Sequence, residues 1–146
     1  HPRKCKSTKT YEYRILNRKF PIPTLRKDTY FYYRPLDIEK MQQAANYLVG
    51  VHDFKSFCSS KTQVTDTVRT IYDLQVFKEG SMISIVVQGN GFLYNMVRII
   101  AGTLIEVELH RKKPQEIGIM LEQMDRQIAG PTAPAKGLAL MKIEYL

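Results

Sequence analysis

The stretch VRTIYDLQVFKEGSMISIVVQGNGFLYNMVRIIAGTLIEV, residues 68–107, decides the fold class because its hydrophobic period changes part-way along. On both sides of Glu79 and Gly80, apolar residues alternate with polar ones, the pattern of strands with one face on a core and one toward water. A turn near Gly80 pairs the two runs as a hairpin and directs Ile83, Ile85 and Val87 inward. Beyond the hairpin the period becomes helical: Leu93, Met96, Val97, Ile100, Ala101, Leu104 and Ile105 fall at i, i+3, i+4, i+7, i+8, i+11 and i+12. A hairpin that runs into a long core-facing helix over residues 92–107 predicts strands and helices sharing one core.

The flanking sequence extends this pattern. TKTYEYRILN, residues 8–17, alternates as a strand with Tyr11, Tyr13 and Ile15 on one side and Glu12, Arg14 and Leu16 on the other. FPIP and the basic residues after it read as a loop, since closely spaced prolines remove backbone donors. Asp37 is placed to cap a helix over residues 38–49, with Ile38, Met41, Ala45 and Leu48 inward and Gly50 as its stop. Pro114 suits the first turn of a further short helix with Ile117, Met120, Leu121 and Met124 as its buried stripe. Residues 129–137 form a loop, and LALMKIEYL closes the chain as a strand. The expected architecture is α+β, a mainly antiparallel sheet with helices packed on one face, and the 146 residues are expected to form a single domain.

Charge is concentrated at one end. Residues 1–34 hold ten basic side chains (Arg3, Lys4, Lys6, Lys9, Arg14, Arg18, Lys19, Arg26, Lys27 and Arg34) against Glu12 and Asp28, which accounts for the whole net charge of +8. The remaining residues carry twelve basic and twelve acidic groups and cancel. Five tyrosines and two phenylalanines interleave the basic run, and cations among aromatic faces are what a nucleic acid needs for phosphate neutralisation and base stacking. A solvated basic arm without a partner is the plainer alternative. No apolar run reaches the roughly 20 residues required to span a bilayer, and no leader precedes the first strand, so no membrane partner and a soluble, cytoplasmic protein are expected. The chain opens at His1 and enters a strand almost at once, which reads as part of a longer protein.

Few motifs point to self-contained chemistry. Cys5 and Cys58 are isolated and read as free thiols, and the three histidines are scattered, so no metal site is expected. GNGF, residues 89–92, matches neither nucleotide-binding glycine pattern and reads as backbone that something approaches closely. His52 and Asp53 are adjacent, but an Asp following Gly50 is a turn residue, and Phe54 and Phe57 read as core anchors. Arg98 is the exception: at about 100° per residue it lies about 120° from the centre of the apolar stripe, half-buried on its flank. It either snorkels or is a fixed cation that holds a carboxylate or phosphate in a cleft.

AANYLVGVHDFKSF, GNGFLYNMVRIIAGTLIEV and AGPTAPAKGLALMKIEYL, in this order and after the opening HPRKCKSTKTYEYRI, resemble the C-terminal half of TruA-type tRNA pseudouridine synthases across nearly the whole chain. The resemblance implies isomerisation of uridine in the tRNA anticodon stem-loop: the glycosidic bond breaks and the base rejoins through carbon, with no cofactor. It implies tRNA as partner and a homodimeric full-length protein. Tyr11, in the Lys9-Thr10-Tyr11 strand motif, matches the tyrosine that stacks on or hydrogen-bonds to the target base, and Arg98 matches the arginine that pairs with the catalytic Asp. Arg3, Lys4, Lys6 and Lys9 would meet phosphates near the cleft entrance. The family's essential Asp lies in an RTD-type motif of the N-terminal half, and none of Asp53, Asp66, Asp73 or Asp125 follows Arg-Thr, so the chain alone is expected to be inactive. Ile99 stands where Asn is frequent and Glu108 where Gly is frequent. The competing reading is a non-catalytic RNA-binding domain of similar fold; for an RRM, GNGFLYN lacks the leading basic residue and runs into a helix instead of lying in a strand.

Overall fold

The computed structural model describes residues 7–59, 64–110 and 112–145. In these the strands are β1 (Ser7–Asn17), β2 (Tyr30–Tyr32), β3 (Gly50–Asp53), β4 (Val68–Glu79), β5 (Met82–Gly89) and β6 (Leu138–Tyr145), and the helices are α1 (Ile38–Asn46), α2 (Met96–Leu109) and α3 (Glu116–Gln123). The sheet runs β2-β1-β5-β4-β3, with β6 also on β1. Among the described strands only the β1–β2 pair is parallel. The fold is α+β, as the sequence pattern predicts.

The hairpin β4–β5 turns through Gly80 and Ser81, between the paired residues Glu79 and Met82. Gly80 sits at φ 61°, a left-handed conformation open to glycine at no steric cost. Ile83, Ile85 and Val87 are fully buried beside Tyr13, Ile15 and Leu74 of the neighbouring strands. Helices α1 and α2 cover this face, and α3 joins the same core through Ile117, Met120 and Leu121.

Two short strands escape the pattern-based reading. β2 exists because Asn17 is buried and donates through Nδ2 to the carbonyls of Tyr32 (2.8 Å) and Arg34 (2.7 Å), pinning a three-residue strand from 15 residues away. β3 opens on Gly50, whose φ is 110°, where a helix stop is expected. The predicted helix 38–49 ends at Asn46: the N–H groups of Tyr47, Leu48 and Val49 bond three residues back, to Ala44, Ala45 and Asn46, so the last turn tightens and leaves the α-helical path. Asp37 caps α1 as expected, accepting from the N–H groups of Glu39 and Lys40.

Helix α2 begins at Met96, four residues later than the expected start at residue 92, because Asn95 adopts a left-handed conformation at φ 61°. It is also buried nearly all round. Ile99, Gly102 and Thr103 lie off the predicted stripe yet are enclosed, since residues 130–133 pack on that side. Met124 is exposed; α3 stops at Gln123 and a left-handed turn at Met124 takes its side chain out of the stripe. β6 occurs as predicted but is an exposed strand, with Leu140, Met141, Ile143 and Tyr145 open to solvent. Among the described residues, no helix is long and apolar enough to cross a membrane.

Candidate active site

The site is assembled from β1, the segment 92–98 and the start of β6. Tyr11, Phe92, Tyr94, Asn95, Arg98 and Leu138 line an open cleft of about 330 Å³. Tyr11 comes from β1, where the alternation that buries Tyr13 and Ile15 directs it to the same face two residues earlier. Its ring meets Phe92 edge-on, 5.3 Å between centroids. Phe92 can lie there because position 89 is glycine: a Cβ on Gly89 would stand 3.0 Å from the Phe92 ring and 2.7 Å from the Thr70 carbonyl. The first glycine of GNGF thus serves close approach, as its sequence suggests.

On β6, Lys142 faces Thr10 and Leu140 faces Tyr11, leaving Met141 as an extra residue. A bulge therefore falls beside Tyr11, the kind of irregularity that re-aims a strand near a functional site.

Arg98 is half-buried on the flank of α2, as its helical position predicts. Its Nε donates to the Ala133 carbonyl at 2.8 Å and its Nη1 to Asn95 Oδ1 at 3.2 Å. Both acceptors are neutral. Among the described residues the carboxylates within ion-pair distance of a basic side chain are Glu106, on the His110 imidazole, and Glu144, on Lys142, so the charge of Arg98 is not cancelled by a carboxylate there. A guanidinium has five N–H donors, and three remain for a ligand or a further side chain.

Beneath the cleft, Tyr13 is fully buried and its hydroxyl donates to the Pro134 carbonyl at 2.7 Å. Burial pushes its pKa well above the ordinary tyrosine value; nearby Tyr30 adds to the rise and the positive Arg98 opposes it. Gly137 closes against the same ring, where a Cβ would meet Tyr13 Cζ at 2.7 Å. Residues 130–137 are therefore held by Tyr13 at one end and by α2 at the other.

A larger hollow, about 730 Å³, lies among Asp53, Cys58, Asp125 and Arg126. Its polar groups are turned to local structure. Asp53 accepts from the Lys55 N–H and the Thr67 hydroxyl, Asp125 accepts from the Gln127 N–H, and Arg126 donates to the Gly130 carbonyl and Thr132. His52 bonds the Val49 carbonyl and stacks edge-on with Phe54, so His52 and Asp53 serve turn and packing, as the sequence suggests. The smaller cleft is where an uncompensated cation and an accessible aromatic coincide.

The profile of the tRNA pseudouridine synthase family matches residues 44–146, which include Arg98 and the whole segment that orients it. The chain belongs to this family. It is similar to tRNA pseudouridine synthase A of Thermoanaerobacter sp. (strain X514), 49% identical over 145 residues, covering 99% of the chain and 59% of that protein. It is 57% identical over 111 residues to the Brevibacillus brevis protein of the same name, covering 76% and 46%. Against that of Bacillus subtilis (strain 168) it is 43% identical over 145 residues, covering 99% and 59%. The chain thus spans about three-fifths of these relatives at most. Tyr11 precedes the profile match, but a 145-residue alignment with the synthases takes in its strand.

Of the residues singled out from sequence, Tyr11 and Arg98 line the same cleft. Lys9 lies two residues before Tyr11 on β1, opposite Gly89. Arg3, Lys4 and Lys6 fall outside the described residues. Asn95, Tyr13, Phe92 and the carbonyl of Ala133 escaped the sequence reading. Asn95 carried one signal, a turn-favouring residue near the start of the run read as helical; a backbone carbonyl carries none.

Proposed function

We propose that this chain forms one wall of the active site of a tRNA pseudouridine synthase that isomerises uridine to pseudouridine in the anticodon stem-loop. Tyr11 replaces the stacking that the target uridine loses when it leaves its helix, and its hydroxyl offers the base a hydrogen bond. Arg98 pairs with the nucleophilic aspartate, which comes from the part of the protein beyond these 146 residues, and keeps it ionised. Lys9, with Arg3, Lys4 and Lys6, meets tRNA phosphates at the cleft entrance. The full-length protein acts in the cytoplasm as a homodimer, with tRNA spanning both subunits.

The observation that carries this reading is Arg98: a half-buried guanidinium whose acceptors among the described residues are neutral, in a cleft shared with an aromatic whose hydroxyl is a polar tip. A positive charge there is worth its desolvation when an anion arrives. The test uses tRNA tritiated at the uridine carbon that loses its hydrogen. The full-length enzyme is expected to release label, and the isolated chain is expected to release none. Turnover by the isolated chain would overturn the assignment of the nucleophile. Binding of tRNA by the full-length protein without label release would favour the non-catalytic RNA-binding reading.

A further inference from the structure

Asn95 occupies the N-cap of α2, where an Asn ordinarily accepts from the N–H groups of the first turn. Here its side chain makes no such bond. Its Oδ1 accepts instead from Arg98 Nη1, one turn along the helix. The backbone at Asn95 is left-handed, a conformation Asn tolerates better than other residues with a side chain. The cap bond is forgone at this position, and the side chain contacts the cleft arginine instead.

The second acceptor, the Ala133 carbonyl, is held from several directions. The Ala133 N–H donates to the Arg98 carbonyl at 3.0 Å. The Gly130 N–H donates to Thr103 Oγ1 at 2.9 Å, and that hydroxyl donates to the Ile99 carbonyl at 2.7 Å. Two glycines permit the approach: a Cβ on Gly102 would overlap the Pro131 carbonyl, and one on Gly130 would stand 2.6 Å from Thr103 Cα. Residues 130–133 therefore lie on the backbone of α2 itself.

We infer that Asn95 is a positioning residue for Arg98, acting with the Ala133 carbonyl, which the Gly102 and Gly130 contacts hold in place. Together they fix the guanidinium plane by its Nε and one Nη1 hydrogen, and leave both Nη2 hydrogens and one on Nη1 for a two-point grip on a carboxylate. This rests on the role of Arg98 proposed above. A fixed donor pair matters because misplacing a reacting group by about 1 Å can cost roughly 100-fold in rate.

The test is a double-mutant cycle in the full-length enzyme, read as kcat and KM for tRNA. Asn95→Gly keeps the left-handed backbone and removes the acceptor. It is expected to lower kcat about tenfold with KM changed less than about twofold, since the grip acts at the reacting end and not on the bulk of the RNA. In an Arg98→Lys background the same change is expected to cost less than about twofold, because lysine has no Nε–H or Nη1 to orient. Gly102→Ala is expected to lower kcat in the wild-type background by displacing Pro131 and, with it, Ala133. Wild-type kcat in Asn95→Gly, or an equal loss in both backgrounds, overturns the positioning role while the role of Arg98 stands. Wild-type turnover in Arg98→Lys would remove the role of Arg98 and the positioning proposal together.

Discussion

At the scale of single residues, the buried Tyr13 makes a pH-dependent contribution to stability. Tyr13 titrates well above the ordinary tyrosine range because burial disfavours its anion. The unfolded chain therefore loses this proton first, and stability present at neutral pH falls as pH rises past about 10. Urea midpoints between pH 8 and pH 11 are expected to drop for the wild type and to drop less for Tyr13→Phe. At pH 8, Tyr13→Phe is expected to cost about 1 kcal/mol, because the Pro134 carbonyl loses its donor. An identical pH slope in the two proteins would show that Tyr13 is not the titrating group. Arg98 belongs to the same scale: its position on the helical flank was legible from the period, whereas its two acceptors were not, since one is a carbonyl 35 residues away.

At the scale of elements, a side chain does the work of a missing strand. β3 pairs with β4 only as far as Ile71, so the outer edge of β4 beyond it needs other partners. Gln42 of α1 supplies them: its Nε2 donates to the Leu74 carbonyl at 2.9 Å, and its Oε1 accepts from the Val76 N–H at 2.6 Å. Gln42→Ala is expected to destabilise the protein by about 2 to 3 kcal/mol, since both backbone groups lose a partner. Gln42→Glu keeps the acceptor for Val76 and is expected to cost less. Asp37→Ala removes only the cap of α1 and is expected to cost about 1 kcal/mol. Chemical denaturation ranks the three, and Gln42→Ala no worse than Asp37→Ala would show that the edge of β4 needs no cover. Position 42 is polar and off the apolar stripe, so nothing in the pattern distinguishes it from a solvated glutamine.

At the scale of the whole molecule, charge and fold combine on one strand. Residues 1–34 contain the entire net charge, and β1 carries part of that segment through the sheet to the cleft, with Lys9 two residues from Tyr11. If Lys9 meets a phosphate, Lys9→Ala in the full-length enzyme is expected to lower the slope of log affinity against log salt for tRNA by about 0.7 to 0.9, without altering which RNA is bound. Filter binding at several salt concentrations measures it, and an unchanged slope would remove Lys9 from the phosphate contacts.

What the sequence determined by itself were the features whose cause is local. Alternation made β1, the β4–β5 hairpin and β6; the 3.6-residue period made α2; Asp37 made the start of α1; and the basic run gathered the net charge at one end of the chain. Quoted motifs also carried the family, because they span nearly all 146 residues in order. What only the tertiary structure decided were contacts between segments far apart in the chain. Asn17 made β2, Gln42 completed the edge of β4, and Gly102 and Gly130, by lacking side chains, let residues 130–133 lie against α2 and bury its second face. Periodicity reports which face of an element prefers to leave water, a property of that element alone. The carbonyl that meets a given guanidinium depends on how two backbones pack, and that is settled only when the whole core closes.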